Sequence, residues 1–96
     1  MEYRFDYLVV GSGVAGLMFA LKVADHGRVA VATKKGLMDS NTAHAQGGIA
    51  AVFDPADTFA SHIEDTLASG DGLCNESVVD MVVKSGPERI EELLEL

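Results

Sequence analysis

The sequence predicts an α/β fold built on a β-α-β unit with parallel strands, and three successive stretches predict it. Tyr7-Leu8-Val9-Val10 is a short apolar run, Gly11-Ser12-Gly13 follows as a sharp turn, and a helical pattern opening at Val14 leads to a second apolar run after Gly27. The first run reads as a strand buried on both faces, as strands of parallel sheets are. The helix is expected over Val14 to Asp25, with an apolar stripe of Val14, Leu17, Leu21 and Ala24 widened by Met18 and Ala20. Gly27 is expected to end it in the left-handed conformation. Arg28-Val29-Ala30-Val31-Ala32-Thr33 is the second strand.

The glycine turn carries chemistry because of where it sits. Gly11 permits the tight turn, Gly13 lets backbone N–H groups come close to a pyrophosphate, and Gly16 lets the helix lie tightly on the strand. The first helical turn adds unpaired N–H donors and the positive end of the helix dipole. A G-x-G-x-x-G pattern alone is weak evidence, but between a strand and a helix it points to dinucleotide binding. At the end of the second strand, where an NAD site carries Asp or Glu, the chain has Thr33-Lys34-Lys35. Lysines there suit the 2′-phosphate of NADP, or simply cap a strand end in solvent; position alone leaves both readings open.

Composition narrows the class. The chain has 96 residues, enough for one small domain at most, and its 48% apolar share is that of a globular protein. The net charge of −8 is uneven, about +1 over residues 1–50 and −9 over residues 51–96. The acidic half argues against nucleic acid or an anionic membrane as partner, and solvated helix faces account for it. Tyr7 to Leu21 is uncharged but too short, and too interrupted by glycine, to span a membrane. Acidic Glu2 and Asp6 stand where a signal peptide would be basic, so none is expected. The single Cys74 cannot form an internal disulfide, which suits a reducing, cytoplasmic location.

Asp39 to Ala51 is too small, polar and glycine-rich for a core element. Adjacent Gly47 and Gly48 suit backbone held against something flat or bulky, and Ser40, Asn41, Thr42, His44 and Gln46 supply donors and acceptors. On residue types alone an ordinary surface loop is the safer reading. Asp54-Pro55-Ala56-Asp57 reads as a turn, with Asp57 or Thr58 capping a helix to Ser69 that Gly70 ends. In that helix Phe59, Ile63, Thr66 and Leu67 share a face, while His62 and Asp65 are neighbours that do not complete a metal site. Asn75 caps a helix over Glu76 to Lys84; Ser85-Gly86-Pro87-Glu88 reads as a capping box opening a separate final helix with Ile90, Leu93 and Leu94.

The fingerprint, Lys34, and the run Ser40-Asn41-Thr42-Ala43-His44-Ala45-Gln46-Gly47-Gly48-Ile49-Ala50-Ala51 together resemble the succinate dehydrogenase/fumarate reductase flavoprotein family. Within it, His62-Ile63-Glu64-Asp65-Thr66-Leu67 followed by Gly70-Asp71-Gly72-Leu73-Cys74-Asn75-Glu76 is most similar to the L-aspartate oxidase branch. The resemblance implies a partial Rossmann-like FAD-binding domain and FAD as cofactor. It implies that Gly11, Ser12, Gly13, Val14, Ala15 and Gly16 lie along the pyrophosphate. Lys34 would belong to the same site, and Asn41, Thr42, Ala43, His44, Ala45, Gln46, Gly47 and Gly48 would run past pyrophosphate and flavin ring. Relatives with covalent flavin attach it through a histidine in S-H-T; Asn41 stands at that place here, which implies non-covalent FAD. The branch oxidises L-aspartate to iminoaspartate with oxygen or fumarate as acceptor, and quinolinate synthase consumes the product on the way to NAD. The dicarboxylate-binding arginines and histidines of the family are expected beyond Leu96, so no catalytic residue is expected in residues 1–96, and Arg4, Arg28 and Arg89 have surface or structural roles. Two strands leave sheet edges open, and the last helix has an apolar stripe with nothing later to receive it. Residues 1–96 are therefore expected to be the amino-terminal part of an FAD-binding domain, without substrate-capping or helical domains and inactive alone. A succinate dehydrogenase or fumarate reductase flavoprotein is the nearest competing reading, with a non-catalytic dinucleotide-fold module and an NADP-binding domain as the others.

Overall fold

Strand β1 (Tyr7–Val10) pairs in parallel with β2 (Val29–Ala32), and helix α1 (Val14–Val23) connects them. The register sets Tyr7 against Val29, Leu8 against Ala30, Val9 against Val31 and Val10 against Ala32. A computed structural model provides this view, and it describes residues 1–36, 40–45 and 47–96. Two compact units divide the chain, Met1–Gly47 and Gly48–Leu96.

In the first unit the sheet has one covered face. Val9 is buried, and Tyr7 meets Phe19 of α1 edge-on with ring centroids 6.4 Å apart. Leu8 and Val10 point the other way and are 68% and 82% exposed, so within residues 1–96 the expected burial is met on one face only. The cause is the single helix layer: α1 covers one side of the pleat, and side chains alternate across it. The helix also lies on a different stripe from the one its hydrophobic residues suggest. Gly16, Met18, Ala20 and Val23 are half-buried, so the two residues expected to widen the stripe do lie inward, while Val14, Leu17, Leu21 and Ala24 are exposed. Close approach selects Gly16: a Cβ there would stand 2.5 Å from the Gly11 carbonyl oxygen and 3.1 Å from Val9 Cγ1.

The helix ends at Ala24 in ordinary right-handed geometry, and Gly27 does not have the left-handed conformation expected of it. Gly27 is instead needed for space. A Cβ there would fall 2.7 Å from Asp6 Oδ2, the oxygen that accepts the Arg28 N–H at 2.8 Å. The Asp6 N–H donates in return to the Arg28 carbonyl at 2.9 Å, so this reciprocal pair starts the parallel ladder. The Arg28 guanidinium lies 5.1 Å from the centre of the Phe5 ring, a structural use of that arginine.

After β2, a single helical turn α2 (Asn41–His44) appears where the sequence suggested only irregular chain. Ser40 caps it, its Oγ accepting the Ala43 N–H at 3.1 Å.

The second unit pairs α3 (Phe59–Ser69) with α4 (Glu76–Leu94). Thr58 Oγ1 caps α3 by accepting the Ser61 N–H at 3.0 Å, after a turn in which Asp54 Oδ1 accepts the Ala56 N–H at 2.8 Å. Gly70 closes α3 in right-handed geometry, and the following turn takes positive φ at Asp71 and Gly72. Cys74 packs into the space that a Cβ on Gly70 would need, which explains the cysteine as a packing residue. Asn75 Oδ1 caps α4 through the Val78 N–H at 3.3 Å. The separate helix expected after Lys84 is not there: α4 runs unbroken through Pro87. Val79, Val83, Gly86, Pro87, Ile90 and Leu93 form one buried or half-buried stripe, so packing against α3 rewards continuity. Gly86 lowers the cost, because the clash between a proline ring and the preceding Cβ does not arise there. Ser85 Oγ donates to the Met81 carbonyl at 2.7 Å instead of capping a new helix. Lys84 with Asp80 at 2.8 Å and Arg89 with Glu92 at 2.9 Å stud the exposed faces. No helix among the described residues is long and apolar enough to cross a membrane.

Candidate functional site

The main cleft of the first unit opens at the carboxyl ends of the two parallel strands, where open α/β sheets place ligands. Its volume is about 620 Å³. Gly11, Ser12 and Gly13 form its floor, Thr33, Lys34 and Lys35 one side, and Ser40, Asn41, Thr42 and His44 another.

Each wall has a local cause. Gly11 adopts φ +107°, which an L side chain rarely tolerates, and its N–H donates to the Ala32 carbonyl at 2.8 Å. The turn is thereby fastened to the end of β2. Ser12 is buried, 7% exposed, beneath the cleft. Gly13 is the residue before α1, and the Leu17 N–H donates to its carbonyl at 3.0 Å as the first intrahelical bond. The N–H groups of Val14, Ala15 and Gly16 therefore precede the helical ladder. Val14 N–H is taken by Thr42 Oγ1 at 3.2 Å. Thr33 Oγ1 donates to the Lys35 carbonyl, folding the strand end so that both lysines border the cleft.

Of the residues expected to bind cofactor, the cleft brings together Gly11, Ser12, Gly13, Lys34, Asn41, Thr42 and His44. Val14, Ala15 and Gly16 stand behind them in the first turn of α1, and Ala43 faces outward from α2 as an exposed residue. Ala45 ends α2, its N–H donating to the Thr42 carbonyl at 3.3 Å. Gly47 takes φ +101° with open space around its missing Cβ. Gly48 begins the second unit, and Gln46 lies outside the described residues, as does Asp39. Thr33 and Ser40 line the cleft as well, and so does Lys35, which only the NADP reading had set against a ligand. The signal that finds them is topological, since both strand ends and the chain just after β2 open at the same edge.

The donor set suits a diphosphate. Backbone N–H groups at a helix start, two lysine side chains and the hydroxyl residues Ser12, Thr33, Ser40 and Thr42 meet a glycine-rich floor, and none of the described lining residues carries a carboxylate. FAD, a dinucleotide with a pyrophosphate centre, fits that chemistry. In the second unit, His62, Asp65, Thr66 and Ser69 line a shallower groove of about 310 Å³ on α3. Thr66 Oγ1 there donates to the His62 carbonyl at 2.8 Å. Among the described residues no group of three or more His, Cys, Asp or Glu could hold a metal ion.

Comparison with known proteins agrees with this chemistry. The family described as FAD binding domain matches residues 6–96. A chloroplastic L-aspartate oxidase of Nicotiana tabacum is 54% identical over 90 residues, covering 94% of this chain and 14% of the relative. The L-aspartate oxidase of Pseudomonas aeruginosa is 50% identical over 94 residues, covering 98% of this chain and 18% of the relative. Among solved structures, a variant of the E. coli quinol fumarate reductase superposes with a TM-score of 0.81 at 38% identity, over 95% of this chain and 16% of that one. The chain thus spans less than a fifth of the length of the relatives it matches.

Proposed function

The chain belongs to the FAD binding domain family, and from that premise we propose that residues 1–96 are the amino-terminal part of the cofactor domain of an FAD-dependent L-aspartate oxidase. The observation that carries this reading is the 43–54% identity to proteins named L-aspartate oxidase across nearly the whole chain. In the proposed reaction L-aspartate loses two electrons and two protons to become iminoaspartate, with oxygen or fumarate as terminal acceptor. FAD supplies, when bound, the two-electron redox chemistry that no side chain offers. Quinolinate synthase is the proposed consumer of the product, on a route to NAD, and the proposed location is the cytoplasm.

This chain's residues bind and orient; none is assigned a proton-transfer role. The floor of Gly11, Ser12 and Gly13, with the first-turn N–H groups of α1, meets the pyrophosphate. Lys34 adds a positive charge at the cleft's edge. The run Asn41 to Gly48 passes the pyrophosphate and the ring. Asn41 offers an amide where covalent relatives have histidine, and an amide nitrogen is not a nucleophile toward flavin, so FAD is held non-covalently.

Acid precipitation of the full-length protein tests the attachment: flavin is expected in the supernatant, and flavin in the pellet refutes it. L-Aspartate-dependent peroxide formation tests the activity. A second reading, a succinate dehydrogenase or fumarate reductase flavoprotein, is favoured by the superposition on quinol fumarate reductase. Succinate or fumarate turnover without aspartate oxidation would establish it. A full-length protein that purifies pale and takes up no FAD would overturn both.

A further inference from the structure

We propose that Thr42 is a positioning residue: its hydroxyl clamps the Asn41–His44 turn to the first turn of α1 and so fixes the spacing of two walls of the cleft. The inference rests on the FAD reading above for its functional consequence, but not for the clamp itself. Val14 N–H donates to Thr42 Oγ1 at 3.2 Å, across 28 positions of chain. The place a Cβ would take on Gly13 is 3.5 Å from the same oxygen, so the hydroxyl rests against the glycine floor. Turn α2 has four residues. Its internal bonds include the His44 N–H to the Ser40 carbonyl at 3.2 Å, the Ala45 N–H to the Thr42 carbonyl at 3.3 Å and the Ala43 N–H to Ser40 Oγ at 3.1 Å. A single helical turn is not stable by itself in water, so a bond reaching out to a longer element holds it. Thr42 suits that task because its β-branch restricts χ1 and presents the oxygen at low entropic cost. The bond also sorts the donors of α1: Val14 N–H is satisfied within the protein, which leaves the Ala15 and Gly16 N–H groups as the first-turn donors without helical acceptors.

The test uses the full-length protein with and without FAD. In the FAD-free protein, hydrogen exchange at the Val14 amide is measured for wild type, Thr42→Val and Thr42→Ser. Valine keeps the shape and removes the acceptor, so exchange at Val14 should rise about tenfold, the loss of one hydrogen bond. Serine keeps the acceptor and should restore protection to within about threefold. FAD affinity, followed by flavin fluorescence, should fall about tenfold in Thr42→Val and recover most of that loss in Thr42→Ser. Should the valine variant fail to fold, Thr42→Ala carries the same expectations. Unchanged Val14 exchange in the acceptor-free variant overturns the clamp, and so does a serine variant no better protected than the valine one. Faster exchange with unchanged FAD affinity overturns its role in binding. Wild-type protein that takes no FAD defeats the FAD reading instead, while the exchange measurement still judges the clamp.

Discussion

Replacing Gly16 by alanine sets two effects of opposite sign against each other. On helix propensity alone, alanine is favoured over glycine in a helix by about 1 kcal/mol. Against it stands the closeness of α1 to β1: the new Cβ would be 2.5 Å from the Gly11 carbonyl oxygen and 3.1 Å from Val9 Cγ1. Ordinary contact begins at 3.4 Å, so the helix must withdraw or the turn must yield by about 1 Å. The obstacle is backbone, which has no alternative rotamer. The Gly11 N–H is bonded to the Ala32 carbonyl at 2.8 Å, so the turn cannot retreat without straining that bond. Overpacking of this kind costs about 1–3 kcal/mol and a strained hydrogen bond about 1 kcal/mol more, which outweighs the propensity gain. The expected net effect is a loss of about 1–3 kcal/mol in stability. Because Gly11 is also the cleft floor, FAD affinity should fall about tenfold or more. Urea unfolding of the FAD-free full-length protein measures the first effect and FAD titration the second. An alanine variant as stable as wild type would show that propensity decides this position, and the close-packing argument would fail.

Other substitutions probe other joints. Pro87→Ala restores an N–H inside α4 and should raise stability by about 1–3 kcal/mol in urea unfolding; no gain would count against an unbroken helix there. Gly70→Ala collides with Cys74 Sγ and should cost about 2 kcal/mol, and Cys74→Ala in the same chain should recover most of it; additive losses in that double-mutant cycle would deny the interlock. Gly27→Ala should displace Asp6 and cost about 1 kcal/mol, with little further loss on adding Asp6→Ala, since both remove the same bond to the Arg28 N–H. Lys34→Met should weaken FAD binding about three- to tenfold and flatten its salt dependence; unchanged binding at low salt would remove Lys34 from the site.

Local features of the chain determined much on their own. Apolar runs around Gly11-Ser12-Gly13 specify strand, turn and helix because each choice is made within a few residues. Thr58 and Asn75 mark helix starts because capping is a local hydrogen bond. The amide of Asn41, standing where covalent relatives have histidine, is the ground for the non-covalent attachment proposed above. Tertiary structure decided what depends on distant partners. The half-buried side of α1 is Gly16, Met18, Ala20 and Val23 rather than Val14, Leu17 and Leu21, and Gly16 is what lets helix and strand approach. Gly27 serves space beside Asp6 rather than a helix stop, and α4 passes through Pro87 because its buried stripe continues on both sides. Lys35, Thr33 and Ser40 reach the cleft, and Thr42 reaches Val14, only once the parallel pairing brings residues far apart in the chain to one edge of the sheet. Local rules act over a few bonds, whereas those contacts exist only after the chain has folded back on itself.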